Sequence, residues 1–134
     1  NFILNGKIIG ENKGIYNYTP GQRRGLEISY KEPLYVKSID SKTGDVYLGV
    51  KKEVFFKGVA LKDCQFFNDT PYMGKYTAKL RYRMKDEHCL LERQPENRAK
   101  LLFDNFQFAP AAGQTAAIYD GDIIIGSGVI DYTF

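Results

Sequence analysis

Histidine and cysteine are almost missing from this chain, and their scarcity removes most metal and nucleophile chemistry. His88 is the only histidine, and Cys64 and Cys89 are the only cysteines, with no CxxC spacing. A structural zinc site takes about four such ligands, so none is expected. No Ser/His/Asp arrangement with a nucleophile elbow can be built around His88, and no pair of carboxylates is framed by apolar sequence; the chain alone is not expected to be catalytic. Both cysteines lie in apolar settings (Asp63-Cys64-Gln65-Phe66-Phe67 and His88-Cys89-Leu90-Leu91) and read as reduced core thiols. No apolar run approaches the roughly 18 residues of a membrane span. There is neither an initiating Met nor an apolar leader at Asn1, so the chain reads as a piece of a longer protein. Gly10-Glu11-Asn12-Lys13-Gly14 lacks the Gly-Lys-Ser/Thr ending of a phosphate loop and is rejected as one.

What is plentiful is the material of sheets. Thirteen glycines, ten tyrosines and nine phenylalanines are spread along a chain that is 43% apolar, and the short apolar runs alternate with period two. Lys7 to Gly10, Leu34 to Ile39 and Val46 to Val50 read as strands, the last two joined by the polar turn Asp40 to Asp45. Val54 to Leu61 reads as an edge strand. Thr19 could cap a helical turn that begins at Pro20 and stops at Gly25. Asn68-Asp69-Thr70-Pro71 breaks the pattern and suggests a boundary between domains 1–68 and 69–134. The second part reads as strands from Lys75, His88 to Glu92, Lys100 to Phe103, Thr115 to Tyr119 and Asp122 to Ile125. Asp120-Gly121 supplies a hairpin turn and Gly126-Ser127-Gly128 a bend into Val129 to Tyr132. That many short strands suggests a small closed barrel, because closure removes exposed edges.

Net charge is only +3, so the clustering of the cations matters more than their sum. Two clusters stand out. Tyr18-Thr19-Pro20-Gly21-Gln22-Arg23-Arg24-Gly25-Leu26 offers Gln22, Arg23 and Arg24 on a glycine-shaped loop, either to RNA or a neighbouring domain or only to solvent. Lys75, Lys79, Arg81 and Arg83 share one face of a strand whose other face carries Tyr76, Ala78, Leu80, Tyr82 and Met84. That cationic face is either a solvated surface balanced by glutamates on adjacent strands or a phosphate-contacting face. Arginine suits the second use because its guanidinium can fork onto phosphate.

Motifs in series resemble one family. Gly10-Glu11, Lys13-Gly14 and the Tyr18 to Leu26 run come first. Pro33-Leu34-Tyr35-Val36, Ile39-Asp40 and Val46-Tyr47-Leu48-Gly49 follow. Ala78-Lys79-Leu80-Arg81-Tyr82-Arg83 with Cys89, Gly113-Gln114, Tyr119-Asp120-Gly121-Asp122 and Gly126-Ser127-Gly128-Val129-Ile130 complete the series. Their order and spacing resemble the part of the tRNA-specific 2-thiouridylases (the MnmA/TrmU family) that follows the catalytic domain. Asn12, Pro20, Phe106 and Ala112 depart from the family pattern, which usually has His, an aliphatic residue and two prolines there.

The resemblance implies an all-β fold: a small β-roll-like central domain, then a closed β-barrel like the second domain of translation factors, with one short helical turn near residues 19–25. It implies a cytoplasmic parent enzyme that uses ATP with Mg to activate the wobble uridine of tRNA at its 2-oxygen and then delivers persulfide sulfur. The ATP loop and the catalytic cysteines belong to an N-terminal domain outside this chain, so Cys64 and Cys89 carry no catalytic role. The implied partners are tRNA, that N-terminal domain and a sulfur-carrier protein, with no membrane. By motif, Arg81, Tyr82 and Gln114 would contact tRNA, with Lys79 and Arg83 beside them. The rival readings are a docking module for the catalytic domain or a sulfur carrier, and a small-ligand-binding barrel.

Overall fold

The computed structural model describes residues 1–67, 69–81 and 84–134. Two compact units divide the chain at Phe55/Phe56. In the first, β1 (Phe2–Leu4) and β2 (Lys7–Gly10) form a hairpin. Asn5 and Gly6 turn it, both at positive φ (50° and 77°). Asn-Gly is the pair that fits the mirror-image turn a two-residue hairpin needs. β3 (Tyr35–Asp40) and β4 (Asp45–Gly49) form the second hairpin, and β4 also pairs in parallel with β1, giving the order β2-β1-β4-β3. At the tip, Asp40 Oδ1 accepts hydrogen bonds from the Lys42 and Thr43 amides, and the Lys42 amide leads in holding its carboxyl below the ordinary value. Phe2, Leu4, Tyr18, Leu26, Leu34, Val36, Val46 and Leu48 make the core. Tyr18 meets Phe2 edge to face at 5.1 Å, and its hydroxyl accepts from the Lys13 amide.

The second unit is a closed barrel. Its strands are β5 (Phe55–Phe66), β6 (Met73–Lys79), β7 (Glu87–Gln94), β8 (Arg98–Phe108), β9 (Thr115–Asp120) and β10 (Ile123–Thr133). They run β10-β5-β8-β7-β6-β9 around the ring. Period-two burial fills the interior with the chain's own side chains: Ala99, Leu101 and Phe103 from β8, Ala116 and Ile118 from β9, Cys89 and Leu91 from β7. An interior packed in this way does not suit the small-ligand barrel. Burial pushes the Cys64 thiol up to about 11 and the Cys89 thiol up to about 12, so both stay neutral thiols at ordinary pH, poor as ligands or nucleophiles.

Three expectations are corrected. β5 is not an edge strand: it lies between β10 and β8 and closes the barrel, which moves the boundary between units from 68/69 to 55/56. The break read at Asn68 to Pro71 falls within the barrel unit, where residues 69–71 lie between β5 and β6 and Asn68 is outside the described residues. The helical turn near 19–25 is also absent as such. Single 3-10 turns occupy Ile15–Asn17 and Lys51–Val54 instead, because Gly21 takes φ 89°, outside the helical region. Finally, Gly126 to Gly128 do not end a strand. They lie within a continuous β10 whose register against β9 and β5 shifts at bulges, which bend a strand without breaking it.

Candidate nucleic-acid interface

The expected cationic strand face is only partly built. β6 carries Lys75, Thr77 and Lys79 and ends there. Lys79 is half-buried, its Nζ 5.7 Å from the centroid of the Tyr119 ring on β9. Arg81 lies beyond the strand end. Leu80 is buried just before it, and the Met84 amide bonds back to the Arg81 carbonyl. The strand pattern therefore stops where alternation alone would continue it. Tyr82 and Arg83 lie outside the described residues.

Arg81 is turned onto the backbone that follows β8. Its Nη2 donates to the Phe108 and Ala109 carbonyls, the second at 2.6 Å, and its Cζ stands 5.7 Å from the Phe108 ring centroid. Burial lowers its pKa. Among the described residues no carboxylate pairs with it. Two carbonyls satisfy hydrogen bonds but neutralise no charge, so the guanidinium keeps a full positive charge in a half-buried position. An anion is its natural complement.

Gln114 sits on the same segment. Gly113 at φ 91° turns the chain. The Gln114 amide donates to the Ala111 carbonyl, and Gln114 Oε1 accepts from the Ala111 amide at 3.2 Å. The Gly113 amide donates to the Ile130 carbonyl and the Gln114 carbonyl accepts from the Ile130 amide. The structure thus brings Arg81 and Gln114 together at one end of the barrel, one holding Phe108–Ala109 and the other closing Ala111–Gln114.

The first unit repeats this device. Gly21 at φ 89° turns the chain, Gln22 Oε1 accepts from the Thr19 amide at 3.0 Å, and the Gln22 amide donates to the Thr19 carbonyl. Gly21 and Gln22 bracket Val36 as Gly113 and Gln114 bracket Ile130. Gln22 Nε2 also donates to the Arg24 carbonyl. The Gln22 amide is therefore spent inside the turn and is not offered outward, which corrects the expectation for that residue. Arg23 and Arg24 are exposed. Asn12 also works locally, donating to the Asn1 and Gly44 carbonyls and accepting from the Gly14 amide.

The Gln114 geometry separates turn from ligand. Gln114→Ala loses the acceptor for Ala111 and is expected to cost about 1 kcal/mol of stability. Gln114→Glu keeps that acceptor but replaces the side-chain amine by an anion, so melting temperature should hold while affinity for a tRNA transcript falls. Equal affinity of Gln114→Glu and the parent protein in anisotropy titrations would remove Gln114 from the interface.

Sequence reasoning missed a second cluster, Phe66, Tyr72 and Arg93, which comes from three separate stretches with no motif to join them. Among the described residues no group of His, Cys, Asp and Glu could hold a metal. In the Gly10 to Gly14 stretch the Gly14 amide is bonded to Asn12 Oδ1. No helix among them is long and apolar enough to cross a membrane.

Comparison with known proteins matches both units. Residues 56–130 match the family model described as an aminomethyltransferase beta-barrel domain, and residues 2–50 match the tRNA methyl transferase PRC-barrel domain. The chain is 36% identical over 129 residues to the tRNA-specific 2-thiouridylase MnmA of Acetivibrio thermocellus, covering 93% of this chain and 35% of that protein. It is 38% identical over 133 residues to the protein of the same name from Desulfotalea psychrophila, covering 97% and 39%. The Clostridioides difficile protein of that name is 36% identical over 130 residues, covering 94% and 36%. The chain thus spans little more than a third of the length of these curated relatives. With matched models on both units and relatives aligned across nearly all of its residues, the chain belongs to the tRNA-specific 2-thiouridylase family, as that family's central domain and C-terminal β-barrel.

Proposed function

We propose that this chain is the tRNA-holding part of an ATP-dependent tRNA-uridine 2-sulfurtransferase, a cytoplasmic enzyme that makes 2-thiouridine at the wobble position. The observation that carries the reading is Arg81, a half-buried cation that bonds to two neutral carbonyls, has no carboxylate partner among the described residues and is set beside the Gln114 turn. Such a group contacts phosphate, which positions an RNA without reading its sequence. ATP, Mg and the sulfur-transferring groups belong in this reading to the remaining length of the relatives. The chain's own work is to bind and orient the substrate.

Titration of the chain with an unmodified tRNA transcript at increasing salt tests this. Binding should weaken linearly on a log-log plot, with a slope near −0.7 to −0.9 for each phosphate contacted. Binding that is absent even at low salt would remove the reading. It would favour docking onto the catalytic domain or a sulfur carrier instead, for which the observation is Tyr16, 98% exposed on its 3-10 turn in the first unit.

A further inference from the structure

The barrel carries a second arginine without an acidic partner among the described residues, and its surroundings are more specialised than those of Arg81. Arg93, near the end of β7, lies over two rings. Its Cζ is 4.5 Å from the Phe66 centroid and 4.8 Å from the Tyr72 centroid. Its Nη1 donates to the Thr70 carbonyl at 2.8 Å, and its backbone amide donates to the Tyr72 carbonyl at 2.7 Å. Two aromatic faces and the Thr70 carbonyl hold the guanidinium in place. A neighbouring arginine behaves differently. Arg98 is committed to Asp131, which Lys62 also approaches, so its charge is already balanced.

Arg93 borders an open cavity of roughly 670 Å³, lined in part by Phe66, Tyr72, Gln94, Asn97 and Arg98. Its frame is set by the backbone. Asp63 at φ 50° marks a bulge in β5, where Lys62 and Gln65 pair with Val129 and Ser127 across a register shift. The Cys64 amide then bonds to the Asn97 carbonyl on the β7–β8 turn, and that turn is shaped by Glu96 and Asn97 at φ 63° and 58°. Glu96 is exposed and is the one acidic side chain in the lining. Tyr72 is 69% exposed although one side of its ring covers Arg93. Phe67 and Met73 beside it are also largely exposed.

We propose that this cavity is a nucleotide subsite that takes one unstacked nucleotide of a single-stranded RNA segment. The base stacks on the open face of Tyr72, its phosphate meets the edge of Arg93, and the Gln94 and Asn97 amides face its hydrogen-bonding edge. A fixed cation next to an exposed aromatic face is the pairing by which proteins hold a splayed nucleotide. The inference rests on the tRNA reading and extends it. Tyr72 precedes β6 and Arg81 follows it, so the seven-residue strand, at about 3.3 Å per residue, sets them roughly 20 Å apart. A single RNA contacting both would lie along the length of the barrel.

The test measures anisotropy of a fluorescein-labelled tRNA transcript against the chain and four variants, Arg81→Ala among them. Tyr72→Ala should raise Kd about tenfold, the size of one lost base stack. Tyr72→Phe should bind as the parent does. Arg93→Lys keeps the charge but not the stacked plane and should weaken binding several-fold. Tyr72 is exposed, so the melting temperature of Tyr72→Ala should match the parent. A transcript containing 4-thiouridine should photo-crosslink to the peptide that includes Tyr72. Parent-like affinity in both Tyr72→Ala and Arg93→Lys, together with weakened binding by Arg81→Ala, overturns the subsite and leaves the tRNA reading standing. Absence of tRNA binding by the parent chain overturns both.

Discussion

Phe103→Ala should cost about 3–5 kcal/mol of stability, while Leu102→Ala should cost well under 1 kcal/mol. The two residues are consecutive on β8 and chemically alike. Phe103 is 1% exposed and points into the barrel, opposite Cys89 on β7, whereas Leu102 is 43% exposed on the outer face. Truncating the phenyl ring removes its burial and leaves a void bounded by strands that are closed into a ring. Such walls cannot easily collapse inward, which puts the cost toward the upper end of the range. Against a typical total of about 5–15 kcal/mol, the loss would lower the melting temperature of the barrel by roughly 15 °C or more. Chemical denaturation of both variants decides the matter, and equal costs would contradict the inward placement of Phe103.

Arg81→Ala should act twice. Charge-assisted hydrogen bonds to the Phe108 and Ala109 carbonyls disappear, and the half-buried setting reduces their worth to about 2 kcal/mol together. The backbone leading into the Gln114 turn loses its anchor at the same time. For tRNA, the salt slope should fall by about one phosphate contact and low-salt affinity by about tenfold or more. Arg81→Lys helps to separate the effects, because an ammonium keeps the charge but cannot serve two carbonyls with the same planar geometry. Its salt slope should stay near that of the parent while its stability drops. An Arg81→Ala slope equal to the parent's would limit Arg81 to the structural role.

The all-β character was legible because burial follows strand period. Leu101 and Phe103, or Ala116 and Ile118, alternate in the sequence as they alternate in the barrel. The hairpin at Asp40 to Asp45 carried its own turn chemistry, while the β9–β10 turn falls one residue later than the expected Asp120-Gly121, on Gly121-Asp122, because Asp120 still pairs with Ile123 and Gly121 takes φ 62°. The boundary was not legible. Asn68 to Pro71 breaks periodicity as strongly as a linker would, and only the pairing of β5 with β10, from the far end of the chain, shows which unit owns that strand. The cationic face failed for a related reason: alternation assigns faces but not the point where a strand ends, and the chain leaves β6 after Lys79. Gln22 was misread because a polar side chain next to two arginines looks outward-facing. Its real partners are backbone atoms within three residues. The Phe66, Tyr72 and Arg93 cluster had no sequence signal, since nothing local ties a residue at 66 to one at 93.

The place of β5 also bears on how such a barrel is made in the cell. Gly58 and Phe134 exchange backbone hydrogen bonds, and Val59 pairs with Thr133. The first strand of the ring cannot be sealed until the last has left the ribosome. Contacts of long sequence separation are slow to form, and until then β5 exposes an edge able to recruit other chains. The sheet of residues 1–55 draws its pairings from within its own span and has no such wait. A nascent protein of this design should therefore present a finished small sheet and an unsealed barrel until β10 has emerged, the interval in which chaperone protection would matter most.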